Sequence, residues 1–153
     1  MDEIDVKLIN ILSKNAATTA TQMVPKVNLS IPAINKRILK LQKSGVIRRF
    51  TILVDGEKVG KPIEAFILVV LQQVGTDAKL MEYIRNDPDV MECYAVTGEY
   101  DYLIKVCAAD VKALEKKLNI LKQHKGVAKS QTMFCLQENK YQPTILPDGE
   151  GDM

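Results

Sequence analysis

Residues 28–45 have the sequence NLSIPAINKRILKLQKSG, which predicts one helix together with its start and its end. Ser30 is a favoured N-cap residue, and Pro32 follows in the first turn, where a helix tolerates proline. The helix should run from Ile31 to about Lys43 and end at Ser44-Gly45. Its apolar stripe has the spacing 3, 4, 3 and consists of Ile31, Ile34, Ile38 and Leu41. Its other faces are polar and mostly basic, with Asn35, Lys36, Arg37, Lys40 and Lys43.

The residues before this helix predict two more helices. The first has an amphipathic stripe made of Ile4, Leu8, Ile11 and Leu12, with Asp2 and Asp5 near its positive end. The second is short, over Gln22 to Val24, because Pro25 weakens its last turn. Asn28 tolerates left-handed backbone and suits a tight connection to the third helix.

A β element should follow the third helix. Residues 46–54 are rich in β-branched side chains and partly alternate, which predicts a strand or a small hairpin. Three helices and a β element form a winged helix-turn-helix, which we assign to residues 1–54. The turn-rich, polar residues 55–62 are then the linker to a second domain.

The charge pattern singles out the first domain. The net charge is only +2, but residues 1–60 hold ten Lys or Arg and five Asp or Glu, whereas residues 61–153 hold eleven and fourteen. No acidic residue stands between Asp5 and Asp55, a stretch that contains nine basic residues. Such a surface suits a polyanion, because carboxylates would repel phosphates. A solvated basic face is the alternative.

The second domain shows a twofold βαβ pattern. Strands are predicted over residues 63–73, 90–96, 102–108 and 127–137, and the helices begin after Asp77 and Asp110. The first helix ends at Asn86 and the second near Lys125. The order βαββαβ over residues 63–140 predicts a ferredoxin-like α+β fold, with four antiparallel strands and both helices on one side. Residues 141–153 are expected to be a flexible tail.

The first strand of this domain is apolar on both faces. Since the helices cover only one face of the sheet, the other face needs a partner, and we expect the domain to form at least a homodimer. A twofold dimer would also place two recognition helices in successive major grooves, about 34 Å apart.

Several classes of function lack their motifs. The sequence has no phosphate-binding loop, dinucleotide fingerprint, nucleophile elbow or zinc-binding helix, so we expect no catalysis and no cofactor or metal. The only histidine, His124, lies at a basic helix end and is expected to be structural. Three cysteines without CxxC spacing indicate buried, reduced thiols. The longest apolar run has seven residues and the start is acidic, which predicts no membrane span and a cytoplasmic protein.

The loop that joins the second and third predicted strands of this domain has side chains suited to binding a small ligand. Gly98 gives a free backbone turn, Asp101 can pair with an ammonium group, and Tyr100 and Tyr102 offer apolar rings with hydroxyl tips. An ordinary hairpin connection is the alternative.

Two motifs in this order resemble the Lrp/AsnC family, the feast/famine regulators. The N-terminal motif is Asp2-Glu3-Ile4-Asp5 with Asn28-Leu29-Ser30, Arg37-Ile38-Leu39-Lys40-Leu41 and Gly45-Val46-Ile47. The C-terminal motif is Val96-Thr97-Gly98-Glu99-Tyr100-Asp101-Tyr102-Leu103. The resemblance covers residues 2–140, with Asn28 standing where the family usually has glycine.

The resemblance implies a regulator that binds double-stranded DNA and whose dimers assemble into octamers or similar discs. The implied DNA contacts are Ser30, Asn35, Lys36, Arg37, Lys40 and Lys43 on the reading helix, with Arg48 and Arg49 on the wing. A small effector, typically an amino acid, would bind between dimers. Its implied site residues are Gly98, Glu99, Tyr100, Asp101 and Thr132, with Asp101 receiving the ammonium.

Two alternatives stay open at this point. The chain could be a DNA-organising protein with no effector. It could also be an enzyme similar to the sirohaem decarboxylases, although these rely on His and Arg residues and the second domain holds only His124 and Arg85.

Overall fold

The computed structural model describes residues 1–73, 75, 77–124 and 126–148. The chain divides into two units, one made of residues 1–53 and the segment that begins at Lys140, the other of residues 54–139. Part of the predicted tail, residues 149–153, lies outside the described residues, as does Lys125 near the predicted helix end. Among the described residues, no helix has the length and apolar character needed to cross a membrane.

Three helices form the N-terminal unit: α1 (Glu3–Lys14), α2 (Ala20–Val27) and α3 (Ile31–Lys43). Asp2 caps α1 by accepting from the Asp5 N–H, while the Asp5 carboxylate accepts from the Asp2 N–H. Ser30 caps α3, as predicted. The helices bury one apolar cluster, which consists of Leu8, Leu12, Met23, Val27 and Ile34.

Helix α2 is longer than the predicted span of Gln22 to Val24. A reciprocal pair of hydrogen bonds between Thr19 and Gln22 fixes its first turn, and Asn28 ends it in left-handed backbone at φ 53°. Pro25 lies inside the helix and removes one N–H that would have bonded to the Thr21 carbonyl. These two caps stabilise both ends of the helix despite that loss.

The prediction of a β element after α3 is wrong. Residues 46–54 contain no strand, and Phe50, Ile52 and Leu53 are exposed. The β-branched sequence favours extended backbone, but a strand also needs a neighbour to bond with its N–H and C=O groups. Ile31, expected in the α3 stripe, is the first residue of the helix and is 42% exposed.

The C-terminal unit has the predicted βαββαβ order. Its elements are β1 (Ile63–Leu71), α4 (Ala78–Asn86), β2 (Val90–Ala95), β3 (Tyr102–Ala108), α5 (Val111–Gln123) and β4 (Val127–Phe134). The four strands form one antiparallel sheet in the order β2-β3-β1-β4. Both helices pack on one face, where Ile67 and Ile104 at the centre are fully buried with Leu80 and Leu114. The predicted fold class is confirmed.

The opposite face of the sheet is covered neither by α4 nor by α5. It carries the alternate residues of β1, of which Phe66, Leu68 and Val70 are half-buried rather than buried as predicted. Met133 lies beside Phe66 and is 43% exposed, and Leu103 lies beside Leu68. We call this the open sheet face.

A half-buried ion network joins α5 to the connection between α4 and β2. The Lys117 ammonium lies 2.6 Å from an Asp87 oxygen and 3.0 Å from an Asp89 oxygen. Asp87 also accepts from the Tyr83 hydroxyl at 2.8 Å, and Asp89 from the Lys61 ammonium. The end of the predicted linker is thus held by the ion pair between Lys61 and Asp89. Within the linker, residues 55–61 form a closed turn in which the Lys61 N–H bonds to the Gly56 carbonyl.

The cysteines do not match the expectation of full burial. Cys93, Cys107 and Cys135 are free thiols and only half-buried. Burial raises the pKa of the Cys93 and Cys107 thiols. Within the described ranges, no three Cys, His, Asp or Glu side chains are grouped as metal ligands.

Candidate DNA-binding surface and effector loop

A basic surface covers the side of α3 that faces away from the helical core. Ile34 packs against residues of α1 and α2, and Leu41 is buried on the same side of the helix, so the opposite side is turned to solvent. Six of the predicted contacts are exposed on it or just after it: Asn35, Lys36, Lys40, Lys43, Arg48 and Arg49. We call these six residues the basic surface. Ser30 lies at the start of α3, where its hydroxyl accepts from the Ala33 N–H at 3.4 Å.

Arg37, one of the predicted DNA contacts, makes two ion pairs within its own unit. Its guanidinium donates to the Asp2 carboxylate at 2.6 Å and to the Asp5 carboxylate at 2.8 Å. The Asp5 side chain is only 7% exposed, so its negative charge needs this partner. Arg37 therefore ties α3 to the first turn of α1, and the hydrogen bonds to Asp2 and Asp5 raise its pKa. The same guanidinium nitrogen makes both bonds, and the Arg37 side chain is 31% exposed.

Replacing Arg37 by alanine is expected to lower the melting temperature and to weaken DNA binding without changing the dependence of binding on salt. The reason is that a guanidinium already neutralised by two carboxylates releases no counterions from DNA. Lys36→Ala is the matched comparison, with a salt slope reduced by about 1 and an unchanged melting temperature. A smaller slope for Arg37→Ala, measured by fluorescence anisotropy across a salt series, would place Arg37 back among the DNA contacts.

The loop between β2 and β3 is tied to the end of β1. The Asp101 N–H bonds to the Val69 carbonyl at 2.9 Å, and one Asp101 carboxylate oxygen accepts from the Leu71 N–H at 2.7 Å. Gly98 at φ 115° provides the reversal, which other residues rarely adopt. Asp101 and Glu99 are both exposed, so carboxylates face solvent at this end of the sheet.

Two tyrosines fix the flanks of this loop. The Tyr100 hydroxyl donates to the Gln131 side chain, and the Lys129 ammonium lies 5.7 Å from the centre of the Tyr100 ring. The Tyr102 hydroxyl donates to the Asp77 carboxylate at 2.5 Å. That bond lowers the pKa of Asp77 and raises the pKa of Tyr102 to about 12. Asp77 therefore stands at the start of α4 as predicted but makes no capping bond with its side chain.

Thr132 is not placed with the other predicted effector residues. It pairs with Ile67, which is buried under the helices, so Thr132 lies half-buried on the helix-covered side of the sheet. Its neighbour Gln131 lies on the open sheet face and contacts Tyr100. Gln131 is not among the residues predicted from the sequence, although the alternation along β4 places it on this face.

Two family descriptions match this chain. The Lrp/AsnC ligand binding domain matches residues 64–145, and a winged helix-turn-helix DNA-binding domain matches residues 1–48. The two matches place a DNA-binding module on the helices that carry the basic surface and a ligand-binding module on the sheet that carries the loop.

Related proteins match over nearly the whole chain. The HTH-type transcriptional regulator FL11 of Pyrococcus horikoshii is 33% identical over 147 residues, 96% of each chain. The glutamate uptake regulatory protein of Zymomonas mobilis is 28% identical over 149 residues, 96% of this chain and 90% of its own. A transcriptional regulator of Neisseria meningitidis, solved as a complex with L-Met, has a TM-score of 0.89 at 29% identity, covering 95% of this chain and 96% of its own. All three are named as regulators, and the resemblance stated from the sequence is confirmed. The chain belongs to the Lrp/AsnC family of DNA-binding transcriptional regulators.

Proposed function

We propose that this regulator binds specific DNA sequences through the basic surface of α3 and changes its DNA binding when an amino acid binds at the 98–101 loop. The observation that carries the DNA part is the exposed face of α3, which has no acidic residue and presents Asn35, Lys36, Lys40 and Lys43. Residues 1–54 would act as the DNA-binding domain and residues 63–140 as the effector and assembly domain, in a cytoplasmic protein.

The effector part rests on the chemistry of the loop. Asp101 and Glu99 offer carboxylates for an α-ammonium group, Gly98 leaves room for close backbone approach, and the Tyr100 ring covers an apolar side chain. The Neisseria meningitidis relative was solved with L-Met, which supports an amino acid as the ligand class. Thr132, on the other side of the sheet, would contribute only from a neighbouring subunit.

The assembly part rests on the open sheet face. Its half-buried apolar side chains are not covered by the helices of the same unit, α4 and α5, and a second copy of the same face would bury them. We propose a homodimer through this face, with further assembly to an octamer or a similar ring. Effector bound between dimers would then shift the assembly, and DNA would change the effector affinity by the same factor through linkage.

A thermal-shift screen against the twenty amino acids tests the effector site. One or a few amino acids should raise the melting temperature by about 5–10 °C at a hundredfold excess over Kd, because a ligand specific for the folded state stabilises it. Asp101→Asn keeps an oxygen that can accept from the Leu71 N–H but removes the negative charge, so the shift should vanish in this variant. Glu115→Gln on the exposed side of α5 is the control and should keep it.

The alternative of a DNA-organising protein without effector predicts a different result. The Leu71 N–H bonds to only one oxygen of the Asp101 carboxylate, so this bond alone does not exclude an incoming ammonium group. If no amino acid shifts the melting temperature while DNA still does, the effector proposal is wrong and this alternative replaces it.

A further inference from the structure

The outward face of α3 contains one apolar side chain among its lysines. Leu39 lies about 140–160° around the helix from the buried Ile34 and Leu41, since each residue advances the helix by about 100°. Leu39 is 49% exposed. Lys36 stands one turn before it and Lys43 one turn after it on the same face.

Among the residues that the structure describes, Leu39 is not part of the apolar cluster of its own unit. The apolar cluster of the three helices is completed by residues packed around it, namely Ile4, Ile11, Ala20, Val24, Leu29, Ile38 and Ile47, and Leu39 is not among them. A half-exposed leucine between two lysines therefore meets whatever binds this face.

The charge of the face identifies that partner as DNA. Lys36, Lys40 and Lys43 surround Leu39, and the chain has no acidic residue between Asp5 and Asp55. In the major groove of DNA the apolar group available to such a side chain is the C5-methyl group of thymine. We propose that Leu39 is a specificity-determining residue that contacts a thymine methyl group. This inference rests on the proposed role of α3 as the DNA-reading helix.

Replacement of single thymines by uracil tests the contact, because uracil lacks only the methyl group. The full-length protein first selects its preferred duplex from a random pool, and each thymine of that duplex is then replaced in turn. Binding is measured by fluorescence anisotropy at one fixed salt concentration. At one thymine of each half-site we expect uracil to weaken binding by the wild-type protein about fourfold. This is the change in affinity that corresponds to the burial of one methyl-sized group.

Leu39→Ala should bind the selected duplex about fourfold more weakly and should no longer distinguish thymine from uracil at those positions. Val111→Ala, which removes a 63% exposed valine from α5, is the matched control and should keep the wild-type pattern. The comparison of thymine with uracil in the wild-type protein still tests whether a thymine methyl group is contacted, even if Leu39→Ala fails to fold.

The proposal is overturned if no thymine is sensitive to loss of its methyl group, or if Leu39→Ala keeps the full sensitivity. In both cases the sequence-specific binding itself survives, so the proposed function stands. A failure to select any preferred duplex would instead reject both the specific DNA binding and the role of Leu39.

Discussion

Replacing Lys36, Lys40 and Lys43 together by alanine is expected to weaken DNA binding roughly a hundredfold at about 0.15 M salt. Each lysine that neutralises a phosphate releases counterions, so the loss of three contacts reduces the salt slope by about 3. All three side chains are exposed and none belongs to the core cluster, so the melting temperature should stay within a few degrees of the wild type.

A second triple variant separates local contacts from net charge. Lys112, Lys116 and Lys122 are exposed on α5 of the other unit, and their replacement by alanine removes the same total charge. We expect this control to retain most of the affinity and the full salt slope. If both triple variants lose affinity equally, DNA binding depends on overall charge rather than on the basic surface.

Lys117→Met is expected to have the largest effect on stability, a loss of about 2–3 kcal/mol in the free energy of unfolding of the C-terminal unit. The variant leaves the 10% exposed Asp87 and the 22% exposed Asp89 without the cation that lies between them. Removing one partner of a fully buried ion pair costs about 3–5 kcal/mol, and the residual exposure here reduces that figure. Urea denaturation followed by circular dichroism measures it, with the exposed Lys116→Met as a control that should change little.

The effect of Lys117→Met should depend on pH in a defined direction. Burial alone would raise the pKa of Asp87, but the bonds from Lys117, the Asp89 N–H and Tyr83 outweigh it and hold the pKa below its usual value. Bonds from Lys61 and Lys117 lower the pKa of Asp89. Burial alone would lower the pKa of Lys117, but the bonds that its ammonium donates to Asp87 and Asp89 raise it.

The lowered carboxyl pKa values contribute stability that is present above the unfolded value of about 4 and is lost as pH falls through the folded value. The raised pKa of Lys117 contributes stability below about 10.5, which is lost as pH rises through the folded value. The difference between wild type and Lys117→Met should therefore be constant from about pH 5 to pH 9 and narrow below pH 4. A difference that persists unchanged at pH 3 would mean that packing, not charge, is what the lysine contributes.

The sequence predicted those elements whose signals are local. Ser30 and Asp110 mark helix starts through their own side chains, and the alternation along β1 and β3 shows directly in the order of residues. Such signals need no knowledge of distant parts of the chain, so α3, α5 and the four strands of the sheet could be predicted with bounds close to those observed.

Features that depend on a distant partner could not be predicted in the same way. Residues 46–54 have a β-like sequence, but a strand forms only when a second strand supplies its hydrogen bonds. The sequence does not distinguish Arg37 from the other basic residues of α3, because Asp5 comes next to it only in the folded chain. A signal did exist, because Asp5 lies between the apolar residues of α1, and a carboxylate on a buried stripe requires a cation.

The contacts of the 98–101 loop also could not be predicted from the sequence alone. Gly98 and Asp101 stand out from the sequence as a turn and a free carboxylate, but the bond from the Leu71 N–H to Asp101 arises only when β1 and the loop meet. The pairing of β1 with β4 decides that Thr132 and Gln131 lie on opposite sides of the sheet, which no short motif contains.

A competition measurement tests most directly whether this regulator binds DNA sequence-specifically. The full-length protein is titrated with a duplex that it has selected from a random pool, and the same duplex with its sequence scrambled serves as competitor at about 0.15 M salt. We predict that the selected duplex binds at least about a thousandfold more tightly than the scrambled one, as specific regulators do. Equal affinity for the two duplexes would contradict a sequence-specific regulator and leave a protein that binds DNA only through its phosphates.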